Sequence, residues 1–392
     1  MSAASSRFEA SSKDTGLAEA LSRIRPEAES DITRFSHSNR CELMKQVLDG
    51  SSKKLPSLAM VTCVRDEEEF LQANLTYHHA LGVSRAYVFL DRCTDSTPEM
   101  VRSFPWARAI PADRDDELTH LTSYLNKCAD QALDLAREEG FEWLLHIDAD
   151  EFAWGDNHPG KLSQLLGQFH LSRVRALEEI GSLPAMLAIV RPETEMVRMR
   201  TKEVIPLAMA PGKSFWELHY FQDGGIVARQ MLDPITMEVK QLNKWLGHTL
   251  GKSIVRTSAD VQAFSSHIWT RKQETHPPRL VDISTEHKGS VYHFVVTGDR
   301  HWRNKYRKLS EYPAYWQNGE LVPFPKQLWK ETSVILSETD ARRYYNEWVT
   351  VRPEDLKEYL SQGIVVCETH VEEILVSAGY PRQSGGMENS HD

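Results

Sequence analysis

Glu142-Trp143-Leu144-Leu145-His146-Ile147-Asp148-Ala149-Asp150-Glu151 passes within ten residues from an apolar run to a cluster of acids. Its middle reads as a strand buried on both faces, because no polar alternation interrupts it. Carboxylates at i and i+2 of an extended chain point to one side, so Asp148 and Asp150 share a face where the strand ends. The same pattern recurs upstream. Leu58-Ala59-Met60-Val61-Thr62-Cys63-Val64 is a second apolar run, and Arg65-Asp66-Glu67-Glu68-Glu69 follows as an acidic helix start that suits the helix dipole. Phe70, Leu71, Leu75, His78 and Leu81 then recur at helical spacing, and Gly82 stops the helix. Residues 86–90 form a further strand, 91–97 a polar loop, and Pro98 opens a short helix through Phe104. Residues 107–110 read as a strand. Leu118, Leu121, Leu125, Cys128, Ala132, Leu133 and Ala136 mark one face of a long helix ended by Gly140.

Strands alternating with helices predict an open, mostly parallel α/β sheet flanked by helices. Such sheets bind ligands outside the carboxyl ends of their strands. Three of those ends carry dense polar groups: Arg65-Asp66-Glu67, residues 91–97, and Asp148 to Glu151. Beyond Gly160 the pattern is less regular. Residues 162–166 with Phe169 read as helix; 186–190, 196–199, 253–255 and 291–296 read as strands. Residues 211–252 read as loops around a cleft, and 341–349 and 353–362 as helices.

The chain has 392 residues and a formal net charge of −10. This balance argues against a nucleic-acid partner, and more weakly against tight binding to an anionic membrane, leaving peripheral membrane association open. No apolar run reaches the ~18 residues of a membrane span. Residues 1–15 lack the apolar core of a secretory signal. The five cysteines are dispersed, without a C-x-x-C pair, and read as reduced thiols of a cytoplasmic protein. The expected organisation is a flexible extension over 1–53, an α/β domain over 54–310, and a helical C-terminal region over 311–392 with a disordered tail.

Asp148 and Asp150 suit a hard divalent cation, which takes a few carboxylate oxygens and fills its remaining positions with substrate phosphates. No G-x-G-x-x-G and no Walker-type loop follows the first strand, so a nucleotide must be held by side chains and a metal.

Val61-Thr62-Cys63-Val64-Arg65-Asp66-Glu67, Tyr77-His78-His79-Ala80-Leu81-Gly82-Val83 and Leu90-Asp91-Arg92-Cys93-Thr94-Asp95-Ser96-Thr97 resemble the opening segments of family-2-like glycosyltransferases of the GT-A fold. Trp143 to Phe152 resembles that family's W-L-x-x-I-D-x-D-E-F segment. Gly251-Lys252-Ser253-Ile254-Val255-Arg256, Val291-Tyr292-His293-Phe294 and Lys305-Tyr306 resemble later ones. The similarity spans roughly residues 57–310, with Asp66 in place of the usual Asn and Cys93 after Arg92 as departures.

The resemblance implies a GT-A, Rossmann-like sheet and a metal-dependent hexosyltransferase. Such an enzyme moves sugar from a nucleotide-sugar, expected to be a UDP-sugar, to the hydroxyl of a carbohydrate or glycan acceptor, with inversion. In this reading Asp148 and Asp150 hold Mn²⁺ or Mg²⁺ against the donor diphosphate, and His293 completes the metal site. Asp91 accepts from the nucleoside, and Arg65 and Glu67 line the same pocket. Lys252 is the candidate phosphate partner, whereas Lys305 and Arg307 read as surface. A base must take the acceptor's proton. Glu217 and Asp223 are the candidates beside Asp150, with Trp216, Tyr220 and Trp245 as sugar-stacking rings. Two rival functions are a metal-dependent phosphohydrolase acting on nucleotides and a catalytically dead carbohydrate- or partner-binding module.

Overall fold

The run Leu58–Val64 forms β1, and the computed structural model places it at the centre of the parallel half of a sheet. Residues 55–112, 121–155, 181–208, 213–225, 229–242, 250–272, 283–312 and 324–381 are described. The expected N-terminal extension, the helix at 162–166, Trp245 and the C-terminal tail lie outside them. β1 pairs in parallel with β2 (Arg85–Leu90) and β4 (Trp143–His146), and β2 with β3 (Ala107–Pro111). The order β3-β2-β1-β4 is the Rossmann-like half that a GT-A fold requires.

Both faces of this half are covered, which explains the unbroken apolar runs. Leu58 and Met60 join one core with α1 (Leu71–Ala80), whereas Ala59 and Val61 join a second with α3 (Leu121–Glu138). Cys128, Ala129, Ala132, Leu133 and Ala136 form the buried stripe of α3, at the spacing of a single helix face. A short helix, α2 (Thr97–Arg102), opens with its proline as expected.

Past β4 the sheet turns antiparallel. β10 (Lys252–Arg256) lies between β4 and β6 (Met196–Val204), and β7 (Tyr220–Gln222) and β14 (Val365–Cys367) extend the far edge. β5 (Glu151–Trp154) pairs with β13 (Thr285–His293), which also runs parallel to β6. β8 (Arg229–Leu232) and β9 (Val239–Leu242) form a separate hairpin inside the stretch expected to be loops. β11 (Val261–Ala263) and β12 (Trp269–Arg271) form another.

The expected strand at 186–190 is instead part of α4 (Leu183–Ala188). Ser182 caps it by accepting from the Ala185 amide, and Leu183 to Leu187 are all buried. A helix buried all round has no polar face, so its sequence loses the helical period. The strand expected at 291–296 starts earlier and ends at His293.

α5 (Asp299–Ser310), α6 (Phe324–Ile335), α7 (Glu338–Tyr344), α8 (Pro353–Ser361) and α9 (His370–Ser377) follow. Trp302, Leu328, Trp329, Tyr344, Val371 and Leu375 belong to the same core as β1, so α5, α6, α7 and α9 complete that core, whereas α8 packs on a separate cluster of Ile205, Val351 and Val365. Among the described residues, no helix is long and apolar enough to cross a membrane.

Candidate functional site

The strand order reverses between β1 and β4, and ligand crevices open at such switch points. Arg65-Asp66-Glu67 leaves β1 on one side of that point, and Asp148-Ala149-Asp150 leaves β4 on the other. The turn after β4 is tightly fixed. The Asp148 amide donates to Glu151 Oε2 at 2.9 Å, and the Glu151 amide donates back to the Asp148 carbonyl at 3.1 Å. From α1, Asn74 Nδ2 donates to the carbonyls of Asp148 and Glu151 at 3.2 and 2.7 Å.

Strand register then delivers the remaining groups. His293 lies opposite Glu151 on β5 and opposite Glu203 on β6. Its Nδ1 is 2.9 Å from Glu203 Oε2, and its Nε2 is 3.5 Å from Asp150 Oδ2. Lys305 of α5 donates to that same Asp150 oxygen. Burial alone would raise Asp150, but Lys305 and then His293 outweigh it and hold it well below the usual carboxylate range. Burial likewise opposes the charge on His293, yet Glu203 and Asp150 push it up to about 10. Glu67 is half-buried; burial, and then the Asp150 charge, push it up to about 8, against Lys308 and Lys305.

Lys252 differs from expectation. Its side chain has 0% exposure, with Nζ 2.7 Å from Asp148 Oδ2 and 3.1 Å from the buried Glu151 Oε2. Enclosed in this way, it orients the acids from behind and presents no face to a phosphate. Gly251 before it has φ +70°, and a Cβ there would stand 1.8 Å from the Met199 carbonyl oxygen, so only glycine fits.

At the end of β1, Asp66 adopts φ +52°. This turn presents the Arg65 and Asp66 carbonyls to Lys308 Nζ, at 2.8 and 2.7 Å. Arg65 pairs with Glu311 at 2.6 Å. The Glu67 amide donates to Thr97 Oγ1 at 2.9 Å, tying the β1 end to the start of α2. Asp91 is buried at the β2 end, where its amide donates to the Val64 carbonyl.

Glu217 and Asp223 are engaged elsewhere. Glu217 closes a capping box by accepting from the Ser214 amide at 2.8 Å. Asp223 pairs with Arg200 at 2.8 Å and faces Lys202 at 3.6 Å. Neither joins the groups around Asp150. Trp216 is core, packed edge-on against Phe215 and Tyr380, and does not offer a sugar platform. Tyr220 is half-buried on β7.

Sequence reading passed over Glu203 and Lys308 and took Lys305 as surface. A signal did exist: His301, Lys305 and Lys308 share one face of α5 at i, i+4 and i+7. Such a stripe reads as solvated surface until the helix is docked.

The donor chemistry can be tested against a divalent cation. Asp150 and His293 face each other, and Glu203 holds the far nitrogen of the imidazole, the outer-shell arrangement that orients a metal-binding histidine. The Asp148 side chain is 36% exposed. Asp150 and His293 offer two donors of the kind Mg²⁺ or Mn²⁺ accepts, with substrate phosphates to fill the remaining positions, while Lys305 holds the same Asp150 oxygen and Lys252 holds Asp148 Oδ2. Among the described residues, the trio of possible ligands whose atoms all lie within 4.8 Å of one another is a different one, Asp66, Cys93 and Asp95 on the rim. There Asp66 Oδ1 already receives the amides of Thr94 and Asp95.

No protein-family model and no curated protein sequence matches the chain. Among solved structures it is similar to one described as a mycobacterial protein, at 12% identity and TM-score 0.31, over 71% of this chain and 84% of that one. It is also similar to glucosyl-3-phosphoglycerate synthase from Mycobacterium tuberculosis in complex with phosphoglyceric acid, at 12% and 0.24, over 55% of this chain and 60% of that one. A third is 4-diphosphocytidyl-2C-methyl-D-erythritol synthase, at 10% and 0.23, over 80% and 99%. At these scores the likenesses carry no argument about chemistry, which rests on the geometry above.

Proposed function

We propose that the protein is a GT-A-type glycosyltransferase that moves a sugar from a nucleoside-diphosphate donor to an acceptor hydroxyl, with inversion. The observation that carries this reading is the cluster of Asp150, His293, Glu203 and Lys305 at the switch point between β1 and β4. A diphosphate docking there would meet the Lys305 ammonium. Asp91 at the β2 end would accept from the nucleoside. Asp148, Asp150 and His293 would hold Mn²⁺ or Mg²⁺, which supplies Lewis-acid stabilisation of the departing diphosphate. Lys252 and Glu203 keep the acids and the imidazole in position, so the site requires little reorganisation at the moment of transfer.

The test is a panel of nucleotide-sugars with purified protein and Mn²⁺, read by release of the nucleoside diphosphate. Release from one member, lost in Asp150→Asn, is expected. Release of inorganic phosphate from free nucleotides instead would make the protein a phosphohydrolase. No turnover, together with no thermal shift by any nucleoside diphosphate, would overturn the reading.

A further inference from the structure

Cys63 and Cys128 are 65 residues apart in sequence, yet their sulfur atoms lie 3.9 Å apart. Cys63 is on β1, two residues before Arg65, and Cys128 lies in the buried stripe of α3. Tyr124, one helical turn before Cys128, places its hydroxyl 3.2 Å from Cys63 Sγ. The two thiols thus sit at the junction of a central strand and the helix covering it, beneath the crevice. Cys63 is half-buried and Cys128 is buried, and burial pushes the Cys63 thiol up, so its thiolate is scarce and the first exchange is slow. Asp91 is near enough for its charge to act on both thiols.

We propose that Cys63 and Cys128 form a reversible oxidation site that closes to an intramolecular disulfide on exposure to a small-molecule disulfide. The Cys63 thiolate attacks the reagent, forming a mixed disulfide and releasing one thiolate. The Cys128 thiolate then attacks the Cys63 sulfur and releases the second. Two protein thiols are oxidised, one reagent disulfide is reduced to two thiols, and the two protons go to the released thiolates. Closure needs the sulfurs to approach from 3.9 Å to ~2.0 Å, a movement within reach of side-chain rotation and a small shift of α3. The bond ties the carboxyl end of β1 to α3.

The experiment is peptide mapping of the intact wild-type protein after equilibration with glutathione disulfide. A peptide linking Cys63 to Cys128, reversed by dithiothreitol, is expected. It should come with a rise in thermal midpoint of ~5 °C, because the bond closes a long loop in the unfolded chain. Cys128→Ser should stop at a glutathione adduct on Cys63, and Cys93→Ser should leave the linked peptide unchanged. If that variant fails to fold, the wild-type map still decides. Glutathione adducts without the linked peptide, or a linkage through another cysteine, would overturn the proposal.

Discussion

Lys252 Nζ lies 2.7 Å from Asp148 Oδ2 and 3.1 Å from Glu151 Oε2, and neither Lys252 nor Glu151 has side-chain exposure. The site acids are therefore built on a buried ion pair. Removing one partner of such a pair strands the other charge in low dielectric, at a cost of ~3–5 kcal/mol. Lys252→Met should lower stability by about that amount in urea titrations. A loss under ~1 kcal/mol would show that water reaches Glu151 and that the pair is not structural.

Asp150 carries the proposed chemistry and is also the counter-charge of Lys305 and His293, so the neutral but isosteric asparagine is the variant of choice. Asp150→Asn should reduce transfer by ~10²-fold or more, with an unchanged circular dichroism spectrum. Retention of activity by this variant would remove Asp150 from the mechanism.

In the proposed reading, Lys305 and a divalent cation would compete for one oxygen of Asp150. Lys305→Met should therefore bind Mn²⁺ more tightly, by ~10-fold, in a direct titration without nucleotide. Weaker Mn²⁺ binding by the variant would place the cation elsewhere.

His78 is completely buried and neutral. The Ala153 amide donates to its Nε2 at 3.1 Å, so Nδ1 carries the proton and donates to the Asn74 carbonyl at 2.9 Å. Burial lowers it to about 4, below the ~6.5 of the unfolded chain. As pH falls from 6.5 toward 4, only the unfolded state takes up this proton, and stability drops by ~1.4 kcal/mol per pH unit. Burial also lowers His146 and His301, each to about 3, which adds to the trend. Unfolding free energies measured at pH 7, 5.5 and 4.5 should decline accordingly. A flat profile would contradict the neutral assignment.

Gly251 admits no side chain, because a Cβ would stand 1.8 Å from the Met199 carbonyl oxygen at φ +70°. Gly251→Ala should destabilise by ~2 kcal/mol or more and also disturb Lys252, its neighbour. A thermal midpoint equal to wild type would show that the β6–β10 contact gives way.

Much of this protein was determined locally. Apolar runs and helical stripes fixed β1 to β4 and the helices between them, because burial on both faces of a sheet leaves its mark in consecutive residues. The carboxyl ends bearing Arg65, Asp91, Asp148 and Asp150 were legible for the same reason. Local pattern failed at α4, where burial on every side erased the helical period, and at the β8–β9 hairpin within a Gly- and aromatic-rich stretch. It also could not assign partners. Whether Lys252 is a surface charge or a sealed counterion depends on where β10 inserts, beside β4. Whether His293 meets Asp150 depends on the register of β13 with β5 and β6. Whether Lys305 is solvated or seated on Asp150 depends on how α5 docks, and whether Cys63 finds Cys128 depends on how α3 crosses β1. Hydrophobic period is a property of neighbours in sequence. Charge pairing and sulfur contact are properties of neighbours in space, and only the tertiary structure decided them.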